Sequence, residues 1–284
     1  MESPLPALKK FIIGALIGIV ATMPGVSGAV LAVCFGIYER LIADIADLVH
    51  KIREDFGFLM TVGLGIVFGI ILVSLGLDFI LENYRVASMM LFLGLIAGQL
   101  PMLWKLTEPK ARPSTMNVLA LVIGVIVMCV FLILGASDDR VMSHDLTSCL
   151  YMILIGVIFS VSHLAPGISG STVLLAMGLL APLTHAIATF DAIHLAPLLV
   201  GALVGLFGFA KVVHYALTKH KRSTYLMIFG LTAGSVLIIM KEAAAAYSGT
   251  ADIASGAVAL AAGVLISIWF SKLGKETSKE FSVR

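Results

Sequence analysis

Apolar residues along the chain gather into eight segments, roughly 7–38, 57–81, 86–104, 116–136, 146–180, 195–217, 223–241 and 252–271. Six of them have the length of one membrane-spanning helix, about 20 residues. The other two, 7–38 and 146–180, are too long for one span and too short for two. Each has a Pro-Gly pair near its middle, Pro24-Gly25 and Pro166-Gly167. Proline lacks the N–H and clashes with the preceding turn, so each pair breaks its helix. A limb of about 15 residues covers about 22 Å of a core about 30 Å thick. Each long segment is therefore a kinked span or a re-entrant hairpin of two half-length helices. Residues 40–55 alternate Asp44, Asp47, Lys51, Arg53 and Asp55 with Leu41, Ile45, Leu48 and Ile52. That pattern predicts an amphipathic helix lying on a membrane face.

Charge decides between kink and hairpin, because cytoplasmic loops collect Lys and Arg. With both long segments returning to the side they left and the N-terminus inside, fifteen of the 19 basic residues lie inside. Arg85, Arg140 and Lys241 lie outside, and Lys211 falls within a span. If both segments cross instead, the same count is eleven inside against seven outside. The hairpin arrangement follows the rule better. The halves also match. Pro24-Gly25-Val26-Ser27-Gly28 and Pro166-Gly167-Ile168-Ser169-Gly170 are 142 residues apart, and Gly65, Gly69, Gly94 and Gly98 precede Gly201, Gly205, Gly230 and Gly234 by 136. The expected fold is an all-α polytopic membrane protein of two inverted repeats, with both termini cytoplasmic. Residues 1–140 hold hairpin 7–38 and spans 57–81, 86–104 and 116–136. Residues 141–284 hold hairpin 146–180 and spans 195–217, 223–241 and 252–271. Three spans follow each hairpin, and three is odd, so the second copy is inverted. Inverted repeats with broken helices at the midplane belong to secondary transporters. The glycines four apart read as close-packing positions between helices.

Composition agrees: 60% of residues are hydrophobic, 13% are charged and the mean hydropathy is +1.06. Soluble domains carry about 25% charged residues. The first segment has no small-residue cleavage site and is read as a span, not a leader. Cys34, Cys129 and Cys149 have neither metal spacing nor an evident pairing and read as small hydrophobes.

The repeated motif has a chemistry of its own. A Pro-Gly-x-Ser-Gly turn opens a new half-helix whose first N–H groups lack intrahelical acceptors. Glycine admits a ligand to the backbone, and the Ser27 or Ser169 hydroxyl caps the helix or donates to a ligand. Such a turn suits a phosphate or carboxylate. Two of them facing one another make one central site reached from both sides. Ser171 and Thr172 add hydroxyls to the second copy, where the first has Ala29 and Val30. Capping of a plain kink is the simpler alternative.

Other charged or titratable groups have two readings each. Glu39 and Arg40, at the mouth of the first hairpin, either hold a phosphate or form an interfacial anchor with Tyr38. His163 is a buried neutral histidine or a proton-coupling group. Lys211, three residues before His214, either snorkels to the interface or couples transport.

These residues carry a resemblance. The two motifs, Gly36-Ile37-Tyr38-Glu39-Arg40-Leu41, the Gly94-Leu95 block and Gly230-Leu231 make nearly the whole chain similar to the bacterial polyprenyl-phosphate transporter (PopT) family. The resemblance implies a flippase that returns undecaprenyl phosphate from the outer to the cytoplasmic leaflet of the bacterial inner membrane for reuse in cell-envelope synthesis. It implies a polyprenyl-phosphate lipid in the bilayer as partner, with no cofactor, metal or nucleic acid, and leaves the oligomeric state open, a homodimer included. Headgroup contacts then fall on Pro24, Gly25, Ser27, Gly28, Glu39, Arg40, Pro166, Gly167, Ser169, Gly170, Ser171 and Thr172, with His163, Lys211 and Glu39 as coupling candidates. The chain departs from the family in having Ala29 and Val30 after Gly28 and no acidic residue before Pro24. Two alternatives differ in class. An undecaprenyl-pyrophosphate phosphatase also uses inverted repeats and Pro-Gly-x-Ser turns, but carries an arginine after the serine, where this chain has Gly28 and Gly170. A carrier of small soluble anions would need no lipid.

Overall fold

The computed structural model describes residues 7–22, 26–74, 83–109, 112, 114–134, 146–170, 173, 174, 177, 179, 183, 186 and 191–282. Among them the regular elements are all helices: α1 (Ala7–Thr22), α2 (Gly28–Cys34), α3 (Tyr38–Ala46), α4 (Leu48–Ser74), α5 (Arg85–Leu106), α6 (Thr115–Leu134), α7 (Leu146–Leu164), α8 (Ala192–Lys219), α9 (Lys221–Ala246) and α10 (Thr250–Ser282). Seven of these, α4 to α10, are long and apolar enough to cross a membrane. The chain is a multi-pass membrane protein.

Four helix pairs build the molecule: α1 on α4, α7 on α8, α5 on α10 and α6 on α9. The α5–α9 contact joins them at the centre. Those two helices bury half or more of their apolar windows, whereas α4, α6, α8 and α10 bury about a fifth and turn the rest outward. The short helix α2 lies among α1, α3, α5, α7 and α10.

Between lipid-embedded helices there is no hydrophobic drive, so dispersion and close backbone approach must hold the seams. Glycine supplies the approach. A Cβ on Gly14 would stand 2.3 Å from the Val62 carbonyl oxygen of α4, and one on Gly65 2.3 Å from that of Phe11 in α1. In the α7–α8 seam the matching distances are 2.1 Å from Gly156 to Leu198 O and 2.0 Å from Gly201 to Ile153 O. Gly94 faces Leu260 O of α10 in the same way, and Gly230 faces Leu121 O of α6. The glycines read as packing positions do pack.

Two local expectations change. The first long segment does not return as one limb. Gly36, at φ +71°, ends the seven-residue α2, and α3 starts at Tyr38. The amphipathic helix expected over 40–55 is not one surface helix either. It divides at Asp47 into α3, which buries Ile42 and Asp44, and the first turns of α4, which run on past a kink at Asp55. The polar pattern is there because Arg40, Asp44 and Asp55 face one another.

Substituting Gly201 by Ala should force α7 and α8 apart and destabilise the protein by about 1–3 kcal/mol, as overpacking does. Gly208→Ala, with nothing within 4 Å of its Cβ position, should leave stability unchanged or slightly higher. Thermal unfolding of both variants in detergent measures the contrast.

Candidate functional site

The first break opens α2 without a side-chain cap. Before it, α1 ends with the Thr22 hydroxyl donating to Ile19 O at 2.7 Å. Ser27 then takes an extended conformation, φ −103° and ψ 118°, and its carbonyl accepts from the N–H groups of Val30 and Leu31. Its side chain makes no cap bond, although the residue is only 7% exposed and its Oγ has no hydrogen-bond partner. A buried hydroxyl left unmade costs about 1–3 kcal/mol. Pro24 and Gly25 lie outside the described residues.

At the second break α7 ends at Leu164, and Gly167 turns the chain at φ +89°. A Cβ there would stand 2.5 Å from Thr232 Oγ1 and 2.8 Å from Thr232 N. Gly167 therefore meets α9, not the open space expected for a ligand. Ser169 is buried, and its carbonyl accepts from Val173 N at 3.1 Å. Ser171 and Thr172 lie outside the described residues, as does most of the return limb to 180.

Between the breaks lies a cavity of about 450 Å³. Ser27, Gly28, Gly170 and His163 line it at the breaks. Pro166, Gly167 and Ser169 are not among its lining residues. Gly170 leaves room for the His163 imidazole, since a Cβ there would overlap the ring, 2.1 Å from Cε1. At the corresponding place in the first break, Gly28 faces the Ala21 methyl, 2.9 Å from its own Cβ position. The His163 ring stacks on Phe159, with centroids 4.2 Å apart, and its Nδ1 lies 2.8 Å from Phe159 O. A carbonyl only accepts, so Nδ1 carries the hydrogen and Nε2 of the neutral ring is an acceptor. The other polar lining groups are bonded within the protein. Ser160 Oγ donates to Ala202 O at 2.7 Å, and Tyr38 OH to Leu164 O at 2.9 Å. The Leu164 carbonyl belongs to the last turn of α7, where the break removes its helical donor.

Helix α3 covers one end of the cavity with Leu41, Ile42 and Ile45. Polar ties hold it there, and they pair Glu39 and Arg40 differently from the sequence expectation. Glu39 accepts from Tyr225 OH at 2.5 Å and pairs with Lys221 Nζ at 2.8 Å, both on α9. Arg40 pairs with Asp55, lies 4.0 Å from the Asp44 carboxylate and sits over the Phe58 ring at 4.3 Å. Neither is a cavity-lining residue, and Tyr38 is buried instead of anchored at an interface. Burial, and secondly the Asp55 carboxylate beside it, push the Asp44 carboxyl up to about 6. Lys211 is exposed on α8, away from the cavity. The sequence reading missed Asp55, Lys221 and Tyr225. Glu39 lies 182 residues before Lys221, so no local spacing signals the pair.

A family model described as VCA0040-like, undecaprenyl phosphate translocase-like, matches residues 17–255. The chain belongs to this family. Among curated proteins, it is 29% identical over 237 residues to a protein of Staphylococcus aureus (strain NCTC 8325 / PS 47) named polyprenyl-phosphate transporter, covering 80% of this chain and 83% of that one. It is 26% identical over 243 residues to a protein of the same name from Vibrio cholerae serotype O1, covering 81% and 76%. No solved structure matches the chain. The translocase-like family match spans both breaks, α3 and its partners on α4 and α9.

Protonated Asp44 is favoured in the folded state, because its folded pKa lies above the ordinary carboxylate value of 3.8. The folded state then binds more protons than the unfolded chain between the two values. Stability contributed at this site is therefore greatest at or below about pH 4 and falls as pH rises through about 6. Unfolding temperatures of the native protein and Asp44→Asn, compared at pH 4.5 and 7.5, should shift in favour of the variant at the higher pH.

Proposed function

We propose that the chain is a transporter of polyprenyl phosphate. It moves undecaprenyl phosphate from the outer to the cytoplasmic leaflet of a bacterial inner membrane and so returns the carrier to cell-envelope synthesis. Family membership and the names of the two relatives support the substrate class. The observation that carries the reading is the cavity between the breaks: Ser27, whose buried hydroxyl has no partner among the described residues, and His163 line its otherwise carbon-rich wall. The Ser27 hydroxyl donates to a phosphate oxygen. His163 Nε2 and a phosphate oxygen both accept, so their contact requires a shared proton, brought by the imidazolium or by the phosphate monoester. His163 is thus both headgroup contact and coupling group, while Glu39 and Arg40 hold α3 in place.

Two inverted repeats moving against each other give the headgroup access to either side. The seams support that architecture. The α1–α4 and α7–α8 pairs meet at glycines 142 and 136 residues apart, and α5 and α9 each pack on a helix from the opposite half. The amino end of α4 and the carboxyl end of α10 lie on the cytoplasmic side, with the α9–α10 connection outside. The phosphatase alternative finds little support: Glu39 is held by Lys221 and Tyr225, and Gly28 and Gly170 follow the serines.

Proteoliposomes carrying radiolabelled undecaprenyl phosphate test the function, with a soluble phosphatase outside to report the accessible leaflet. The protein should make the inner pool accessible, and Ser27→Ala with His163→Ala should slow this about tenfold, the loss expected for hydrogen bonds to a charged group. A rate equal to that of protein-free vesicles, or phosphate release by the protein itself, would overturn the proposal.

The topology has its own test. In a cysteine-free background, Val49→Cys and Tyr247→Cys, both well exposed, should react with a membrane-impermeant maleimide from the cytoplasmic and external faces respectively. Labelling of both from one face would refute it.

A further inference from the structure

The cavity is larger than a bare phosphate fills, and its volume lies in the range of pockets for whole small molecules, about 300–1,000 Å³. Of its polar residues, Ser27 and His163 belong to the breaks and their flanks, Ser160 and Tyr38 are bonded within the protein, and most of the remaining wall is hydrocarbon. A soluble anion would lose its water there against carbon, at a large cost. The cavity suits an amphiphile.

The helices around it show where an attached chain leaves. α3 covers one end with Leu41, Ile42 and Ile45. On the side, Ile66 and Ile70 of α4 face Phe159 of α7 and Leu206 of α8 across the cavity. The α1–α4 and α7–α8 pairs are each tightly seamed, but among the described residues α4 shares no extended packing seam with α7 or α8. Ile70 and Phe159 both line the cavity and are more than a third exposed, at 37% and 36%. Among the described residues the cavity is therefore open between α4 and the α7–α8 pair.

We infer that this opening is a binding subsite for the isoprenoid chain: the first isoprene units of a polyprenyl phosphate lie inside the protein between Ile66, Ile70 and Leu206, and the remaining chain runs out between α4 and α8 into the bilayer. The inference rests on the proposed lipid-phosphate function and adds a route for the tail. Because lipid is as apolar as this wall, the subsite selects by shape and gains little affinity over the membrane. It admits a linear chain and keeps water from following the headgroup.

A polyprenyl phosphate with a diazirine on its first isoprene unit tests the route in proteoliposomes of the full chain. Photolysis should label peptides of α4 and α8 containing Ile66, Ile70 or Leu206. Ile70→Trp should slow leaflet exchange about tenfold by filling the opening. Ile71→Trp, one residue on and 56% exposed outside the cavity lining, should leave exchange unchanged. Labels confined to the outward faces of α6 or α10, or no labels while exchange continues, would overturn the tail route and leave the transport function standing. Absence of both exchange and labelling would remove the two together. Farnesyl phosphate should compete with the probe, whereas inorganic phosphate at the same concentration should not; equal competition would assign the cavity to a soluble anion.

Discussion

A helix broken inside a bilayer exposes N–H and C=O groups that hydrocarbon cannot satisfy, at several kilocalories per mole each. The rest of this structure is arranged to meet that constraint. Described groups beside both breaks are met by protein. Tyr38 reaches from α3 to the orphaned Leu164 carbonyl, Thr22 bonds back into its own last turn, and α9 closes against Gly167. Enclosure requires neighbouring helices to come near, which is why their seams are built on glycines facing backbone carbonyls. It also explains why α5 and α9 are the most buried of the long helices.

The two breaks are alike in sequence and unlike in chemistry. Ala21 and His163 occupy the same place relative to their prolines, and the glycine opposite each is what admits them. In the first half a methyl group fills the space, and the polar residue of that break that lines the cavity is Ser27, its hydroxyl buried. In the second an imidazole fills it, and Ser169 is not part of the cavity lining. On the proposed function, one half supplies a donor and the other an acceptor, a division that a perfectly symmetric site would not provide.

The sequence made the long-range plan readable and the local pairings not. Hydrophobic length marked the spans, and the spacing of Gly65, Gly94, Gly201 and Gly230 marked their seams, because lipid leaves close approach as the main source of helix affinity. His163 could be singled out because a titratable side chain is costly there. Glu39 and Arg40 could be found for the same reason, but not interpreted. Their partners come from α9 and from beyond the kink at Asp55, and charges that meet only in the folded state leave no periodic trace. The amphipathic pattern of 40–55 hid a mixture: Asp47, Arg53 and Glu54 are exposed, whereas Arg40, Asp44 and Asp55 meet one another.

Those pairings have a further physical consequence. Beside the cavity, α3 and the residues at its start are tied to the second half by Tyr38 to Leu164 and by Glu39 to Lys221 and Tyr225. A neutral hydrogen bond contributes about 0.5–1.5 kcal/mol, and an ion pair as exposed as Glu39–Lys221 about 0–1 kcal/mol. Together these reach only the few kilocalories per mole that separate interconverting conformers. The glycine seams within each pair are far harder to part, because every van der Waals contact along two helices would be lost at once. The helix pairs are therefore stiff, whereas the polar ties that hold α3 over the cavity are weak.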